Sequence, residues 1–190
     1  MQYKKVIRGG ILTIAIALQV HDGVVLASDS ALTLSDPSKA TDNTLNVYNN
    51  GNKIFNLRKG LPIGAVFYGA GSIGNSSTSP LIKDLRKIFT DGDSGGAHKG
   101  WKLDPTKYTI EQICSRAQTF IFDENFAKLG ITTPGTQFGM IIAGYSAGAQ
   151  LSETWSFVIE NGQSPPPTVV IPQGAATVFA GGDPELISRI

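Results

Sequence analysis

The chain has 190 residues, about the size of one domain. Its 16 Lys and Arg residues nearly balance its 15 Asp and Glu residues, so no excess charge directs it to nucleic acid or to an anionic membrane surface. No apolar run approaches the roughly 18 residues that a membrane span needs, so a soluble, cytoplasmic protein is expected.

The first part of the chain predicts antiparallel strands. Apolar residues 11–20 and 24–27 flank the turn signal His21-Asp22-Gly23, a pattern typical of a hairpin. Residues 30–52 are polar and rich in turn formers. Residues 53–57 and 61–67 then predict a second pair of short strands around Lys59-Gly60.

Two amphipathic helices are predicted next. Ser79 as N-cap and Pro80 as first helical residue open one, with apolar positions at helical spacing as far as Phe89. After a glycine-rich loop over 91–107, Thr109 and Gln112 form a capping-box pattern that opens a second helix through residue 121. Both helices are expected to cover one face of a sheet.

The remainder returns to strand patterns at 138–143, 154–159 and 177–180, interrupted by three prolines at 165–167. Strands, then paired helices, then strands again indicate an α+β layered protein with a largely antiparallel sheet. The single cysteine, Cys114, has no partner for an internal disulfide and is expected in the core.

One glycine motif suggests a dinucleotide site. Residues 69–74 read Gly-Ala-Gly-Ser-Ile-Gly and follow a predicted strand. The dinucleotide fingerprint, however, needs its last glycine at the start of a helix and an acidic residue about 20 positions later at a strand end. Neither condition is met, so a tight strand-to-helix connection is expected instead.

A second motif, Gly144-Tyr145-Ser146-Ala147-Gly148, matches the nucleophile elbow of α/β-hydrolases. That family places its histidine base after the serine, whereas His21 and His98 both precede Ser146. The two histidines and one cysteine also lack zinc-ligand spacing, and no P-loop or EF-hand pattern occurs. No metal or other cofactor is expected.

Two charged residues sit at predicted strand ends. Asp29 follows the apolar run 24–28, and Lys53 begins the next strand pair directly after a turn. A carboxylate at the tip of a buried strand needs a partner. A structural ion pair between them is one reading, and a catalytic role is the other.

The segments around these residues resemble the opening half of proteasome β-type subunits, including the bacterial HslV and Anbu groups. The resemblance rests on Thr-Ile-Ala-Ile-Ala-Leu at 13–18, Gly-Val-Val-Leu-Ala-Ser-Asp-Ser at 23–30, Asn-Lys-Ile-Phe at 52–55 and Phe-Tyr-Gly-Ala-Gly at 67–71. It implies an N-terminal-nucleophile (Ntn) hydrolase fold, a four-layer αββα sandwich of antiparallel sheets. Residues 1–12 would be a propeptide and 13–190 a single domain.

The resemblance assigns catalytic roles to Thr13, Asp29 and Lys53, with the amide of Gly69 as oxyanion donor. Autoprocessing would make Thr13 the mature N-terminus. A free α-amine has a pKa near 8, so it can act as base for the hydroxyl of the same residue. The implied reaction is hydrolysis of peptide bonds through an acyl-enzyme ester on Thr13.

The resemblance also implies partners: self-association into rings, unfolded polypeptides as substrates and an ATP-dependent unfoldase. The family has glycine before its nucleophile where this chain has Leu12, so a non-catalytic structural ring subunit stays open as the alternative, and a small-molecule Ntn amidase as a third reading. Gly181-Gly182-Asp183 matches the family's glycine-serine-glycine loop without its serine. A further helix pair and closing strands are implied beyond Ile190, so the sequence is expected to be either incomplete there or a divergent, shorter subunit.

Overall fold

The computed structural model describes residues 13–30, 32–35, 44–48, 51–74, 76–93, 96–132 and 134–183. The proposed propeptide, residues 1–12, therefore lies outside the described residues. Twelve strands are described, namely β1 (Ile14–Val20), β2 (Gly23–Ser28), β3 (Leu32–Ser35), β4 (Thr44–Tyr48), β5 (Ile54–Asn56), β6 (Ile63–Gly69), β7 (Ser72–Ile73), β8 (Ser76–Ser77), β9 (Thr136–Gly144), β10 (Glu153–Glu160), β11 (Thr168–Ile171) and β12 (Thr177–Gly182). The helices are α1 (Thr78–Asp91), α2 (Ile110–Gln118), a π-helix (Thr119–Phe126) and a 3₁₀ turn (Ala127–Leu129).

The strands form two main antiparallel sheets. A five-stranded sheet has the order β11-β10-β9-β6-β5, and a three-stranded sheet has the order β12-β1-β2. The pairs β3–β4 and β7–β8 form two small ribbons. The expected α+β class with antiparallel sheets is confirmed.

Alternation along β6 divides the core in two. Ile63, Ala65 and Phe67 face the helices, whereas Val66 and Tyr68 face the three-stranded sheet. On the helical side, phenylalanine rings from neighbouring strands lie side by side, with ring centroids 5.8 Å apart for Phe67 and Phe138. The five-stranded sheet is thus the middle layer, between the helices and the three-stranded sheet.

The three-stranded sheet packs inward through small residues. Ala15 and Ala17 are fully buried between the sheets. Residues on the opposite face alternate with them: Leu18 is 41% exposed, and the exposed fractions of Val25 and Val178 are 60% and 49%. Because Leu18 pairs with both Val25 and Val178, these side chains form one apolar outer face.

The N-cap predicted at Ser79 is wrong. Helix α1 begins at Thr78 with Ser77 as N-cap, and the hydroxyl of Ser79 donates to the carbonyl of Asn52 at 3.0 Å. Pro80 is tolerated in the first turn, where backbone N–H groups lack helical acceptors. The Thr109 cap is confirmed, since its hydroxyl accepts the Gln112 amide at 3.1 Å.

Several elements were not predicted. Strands β3 and β4 lie in the polar stretch 30–52, β11 directly follows the three prolines, and the second helix continues as a π-helix to Phe126. Cys114 lies in the core as expected, and burial raises the pKa of its thiol well above the usual range. Among the described residues no helix is long and apolar enough to cross a membrane.

Packing of α1 on the sheet should dominate local stability. Leu85 is fully buried, whereas Leu129 is 40% exposed. We expect Leu85→Ala to lower the free energy of unfolding by about 2–5 kcal/mol through lost burial and a cavity. Leu129→Ala, the same change at a surface site, should cost less than about 1 kcal/mol. Urea denaturation of both variants measures the difference, and equal losses would contradict this assignment of the core.

Candidate active site

Three sequence-predicted residues meet where the strand ends of both sheets converge. Lys53 Nζ lies 3.0 Å from Asp29 Oδ2 and 3.1 Å from Asp29 Oδ1. The same nitrogen lies 3.3 Å from Thr13 Oγ1. The three N–H donors of an ammonium group therefore match three oxygen acceptors.

Asp29 holds both Lys53 and the first residue of β1 in place. Its Oδ1 accepts the Ile14 amide at 2.9 Å, and its own amide donates to the Ile14 carbonyl at 3.3 Å. Asp29 thus hydrogen-bonds to both the amide and the carbonyl of Ile14, the residue that follows Thr13. This pairing holds the Thr13 side chain at the end of the strand.

Lys53 is placed by a network that the sequence did not reveal. The amide of Gly51 donates to the carbonyl of Ser30 at 2.9 Å, which joins the segment before Lys53 to the residue after Asp29. Asn52 accepts the Ile54 amide on its side chain at 3.3 Å and the Ser79 hydroxyl on its carbonyl. The backbone leading into Lys53 is therefore held from three sides.

Burial shapes the electrostatics of this group. The side chain of Lys53 is 1% exposed and that of Asp29 is 27% exposed, while Thr13 is 2% exposed. A buried ammonium requires a hydrogen-bonded counter-charge, which Asp29 supplies. With the carboxylate satisfied by Lys53 and Ile14, the remaining ammonium donor is directed at the Thr13 hydroxyl oxygen, where it would favour an alkoxide.

The backbone amide of Gly69 lies on the side of β6 that faces Lys53. The Phe67 amide donates to the Lys53 carbonyl at 3.2 Å, and the Ala70 amide donates the other way, to the Gln137 carbonyl. Amides two residues apart in a strand point to the same side, so the Gly69 N–H points toward the Lys53 side. Gly69 has φ +90°, and a Cβ there would lie 2.6 Å from the Gln137 carbonyl oxygen, which requires glycine.

The end of β12 also reaches Thr13. The Asp183 amide donates to the Thr13 carbonyl at 3.0 Å. The sequence alone shows residues 181–183 only as an imperfect match to the family's loop. The glycine doublet within a strand was the available signal, because glycine in a strand often marks a close backbone approach.

The competing motifs have structural partners. Ser146 donates to Glu153 at 2.5 Å and accepts the Ile110 amide at 3.0 Å, so it links the end of β9 to the start of α2.

His98 Nε2 lies 2.8 Å from Glu124, and the centroid of its ring lies 4.7 Å from that of Trp101. Residues 69–74 lead into the β7–β8 ribbon rather than directly into a helix.

An open groove of about 480 Å³ lies elsewhere, between β2 and the neighbouring strands β5 and β6. Its lining includes Gly23, Pro62 and Tyr145, at the opposite end of these strands from Thr13. In the part of the chain that the structure describes, no group of three or more His, Cys, Asp or Glu residues could hold a metal ion.

Compared with known proteins, the chain matches no family model, and no curated protein matches its sequence. The resemblance to proteasome β-type subunits thus rests on the residues quoted above.

The ion pair makes a prediction about stability that is independent of any activity. Asp29→Ala leaves the Lys53 ammonium buried without its counter-charge, so we expect a loss of about 2–4 kcal/mol of unfolding free energy. Asp29→Ala combined with Lys53→Met removes the buried charge and should recover at least half of that loss. Urea denaturation of the single and double variants measures the coupling, and additive losses would contradict the pairing.

Proposed function

We propose that the chain is a threonine-type peptidase, similar to proteasome β-type subunits, that hydrolyses peptide bonds in unfolded polypeptides. The observation that carries this proposal is the contact of Thr13 Oγ1 with a buried Lys53 ammonium that is itself held by Asp29. A hydroxyl against a preorganised cation is the arrangement that a nucleophilic threonine needs.

The proposed reaction uses the α-amine of Thr13 as base. The amine takes the Oγ1 proton while the oxygen attacks the substrate carbonyl carbon. Lys53 stabilises the attacking oxygen, and the Gly69 amide is the proposed donor to the oxyanion of the tetrahedral intermediate. The α-ammonium of Thr13 then protonates the leaving amine of the substrate. Water hydrolyses the acyl-enzyme ester, which releases the acid product and restores Thr13.

This mechanism requires a free α-amine, which autoprocessing of the Leu12–Thr13 bond would supply. Residue 12 lies outside the described residues. If the bond stays intact, Thr13 lacks its base, and the alternative is a non-catalytic structural subunit of the same ring. The domain proposal is accordingly a propeptide at 1–12 and one domain over 13–190.

We also propose the full four-layer αββα sandwich. The described layers are the helices, the five-stranded sheet and the three-stranded sheet. On the outer face of the three-stranded sheet, Leu18 lies directly opposite Val25 on one side and Val178 on the other. An apolar face of this kind indicates a covering layer, and the resemblance implies that helices form it. Self-association into rings in the cytoplasm and an ATP-dependent unfoldase partner are proposed on the resemblance alone.

Turnover of a fluorogenic peptide by the purified, assembled protein tests the proposed activity. We expect Thr13→Ala to lower kcat/KM by about 10³-fold or more because it removes the nucleophile, and Thr13→Ser to keep measurable activity. Thr177→Ala changes an exposed threonine in β12 and should match wild type. Turnover that survives Thr13→Ala would refute the assignment of the nucleophile.

The covering layer can be tested by introducing a charge. If helices cover the outer face, Val25→Glu buries a carboxylate and should lower the unfolding free energy by about 2 kcal/mol or more. Val169→Glu, at a similarly exposed valine of β11, should cost less than about 1 kcal/mol. Chemical denaturation compares the two variants, and an equally small loss for Val25→Glu would mean that this face is open to solvent.

A further inference from the structure

A small polar pocket lies between helix α2 and the loop that precedes it. Its volume is about 160 Å³, and its lining includes the cations Lys102, Lys107 and Arg116 and the carboxylate of Asp104. None of the residues of the candidate active site lines this pocket. Pockets that bind drug-sized molecules usually measure about 300–1,000 Å³, so this one has room only for a smaller ligand.

The cations of the pocket have few counter-charges. Arg116 donates from Nη1 to the Trp101 carbonyl at 3.1 Å and from Nη2 to the Gly100 carbonyl at 3.2 Å, and both acceptors are neutral. None of the ion pairs between described residues includes Lys102, Lys107 or Arg116. Burial lowers the pKa of Arg116, because desolvation disfavours its charged form. An anion beside these groups is therefore favourable.

One carboxylate cannot balance all of these charges. Asp104 Oδ1 accepts the Thr106 amide at 2.9 Å and the Thr106 hydroxyl at 2.7 Å. These two hydrogen bonds lower the pKa of Asp104, and the charges of Lys107 and Arg58 act in the same direction. The carboxylate is thus held within its own turn and shared between two cations, so positive charge remains in excess around the pocket.

Arg58 adds to this positive charge. Burial raises the pKa of Tyr108, and the charge of Arg58 opposes that rise, so the guanidinium lies near a residue of the pocket lining. The Nε of Arg58 is buried and has no hydrogen-bond acceptor among the described residues. Folded proteins leave few buried donors unpaired, and ordered water or a bound ion is a common partner for the exceptions. This guanidinium is a second, independent indication of an anion near the pocket.

We propose that this pocket binds a phosphate group. Lys102 and Lys107 are exposed, so their ammonium groups can turn toward an anion, and Arg116 keeps N–H groups that its two carbonyl acceptors do not use. A tetrahedral oxyanion accepts from several such donors at once, and its hydrogen bonds with cations are stronger than those of a neutral ligand. The bound phosphate group bridges α2 and the preceding loop. The inference goes beyond the proposed function and does not depend on it, because no step of the peptidase reaction uses these residues.

Isothermal titration calorimetry of the full chain with inorganic phosphate tests the site, with the ionic strength held constant by chloride. We expect saturable binding at one site. Lys102→Met and Lys107→Met should each weaken the binding about tenfold, because each removes a charge-assisted hydrogen bond. Lys107→Arg keeps the charge and should retain most of the affinity. Lys128→Met is the matched control, at an exposed lysine in the 3₁₀ turn, and should bind phosphate like wild type.

The absence of saturable binding in the wild-type protein would overturn the inference. Equal affinity in all variants would overturn it as well, and so would an equal loss in Lys128→Met, which would indicate general attraction between phosphate and protein cations. Because Lys102 and Lys107 are exposed, both Met variants should fold, and circular dichroism checks this. Thermal denaturation gives a second measure, since phosphate should raise the Tm of wild type and Lys128→Met more than that of Lys107→Met.

A second titration identifies the source of the phosphate group. Phosphoserine carries the same group on a small organic molecule. Tighter binding of inorganic phosphate would show that the pocket takes the free ion. Equal or tighter binding of phosphoserine would show that it takes the phosphoryl group of a larger ligand, and failure of both molecules to bind would overturn the inference.

Discussion

The arrangement of the site depends on one constraint, the burial of the Lys53 ammonium. A charge that is 1% exposed cannot be left without a partner, so the ends of β1 and β2 must lie where Thr13 and Asp29 can supply acceptors. Asp29 satisfies Lys53 and the Ile14 amide together, which couples the register of the three-stranded sheet to the position of β5. The ammonium that pairs with Asp29 is thus the same group that contacts the Thr13 hydroxyl.

Local signals in the sequence predicted the fold well, and long-range ones escaped it. The Thr109 cap was predictable because its partner, Gln112, lies one turn away. Ser79 was misassigned because its hydroxyl bonds Asn52, which is distant in sequence. Strand β11 follows three prolines that suggest a break, and the π-helix replaces an α-helix whose apolar spacing continues past residue 118.

The site divides in the same way. The resemblance, with its fixed spacing, predicted Thr13, Asp29 and Lys53. In the structure the Lys53 ammonium lies within hydrogen-bonding distance of the other two side chains. The contact between the Asp183 amide and Thr13 could not be predicted, because it depends on pairing between the first and last described strands. The supports at Gly51 and Asn52 were also hidden, since backbone hydrogen bonds across loops leave no pattern in the side chains.

The most direct test of the proposed mechanism is the intact mass of the purified, assembled wild-type protein, with its N-terminal residue sequenced. We expect a chain that begins at Thr13 and lacks residues 1–12, because only that cleavage creates the amine beside the Lys53-bound hydroxyl. An assembled, native protein that retains Leu12 would contradict it. Thr13 would then be a structural residue, and the Asp29–Lys53 pair would serve stability alone.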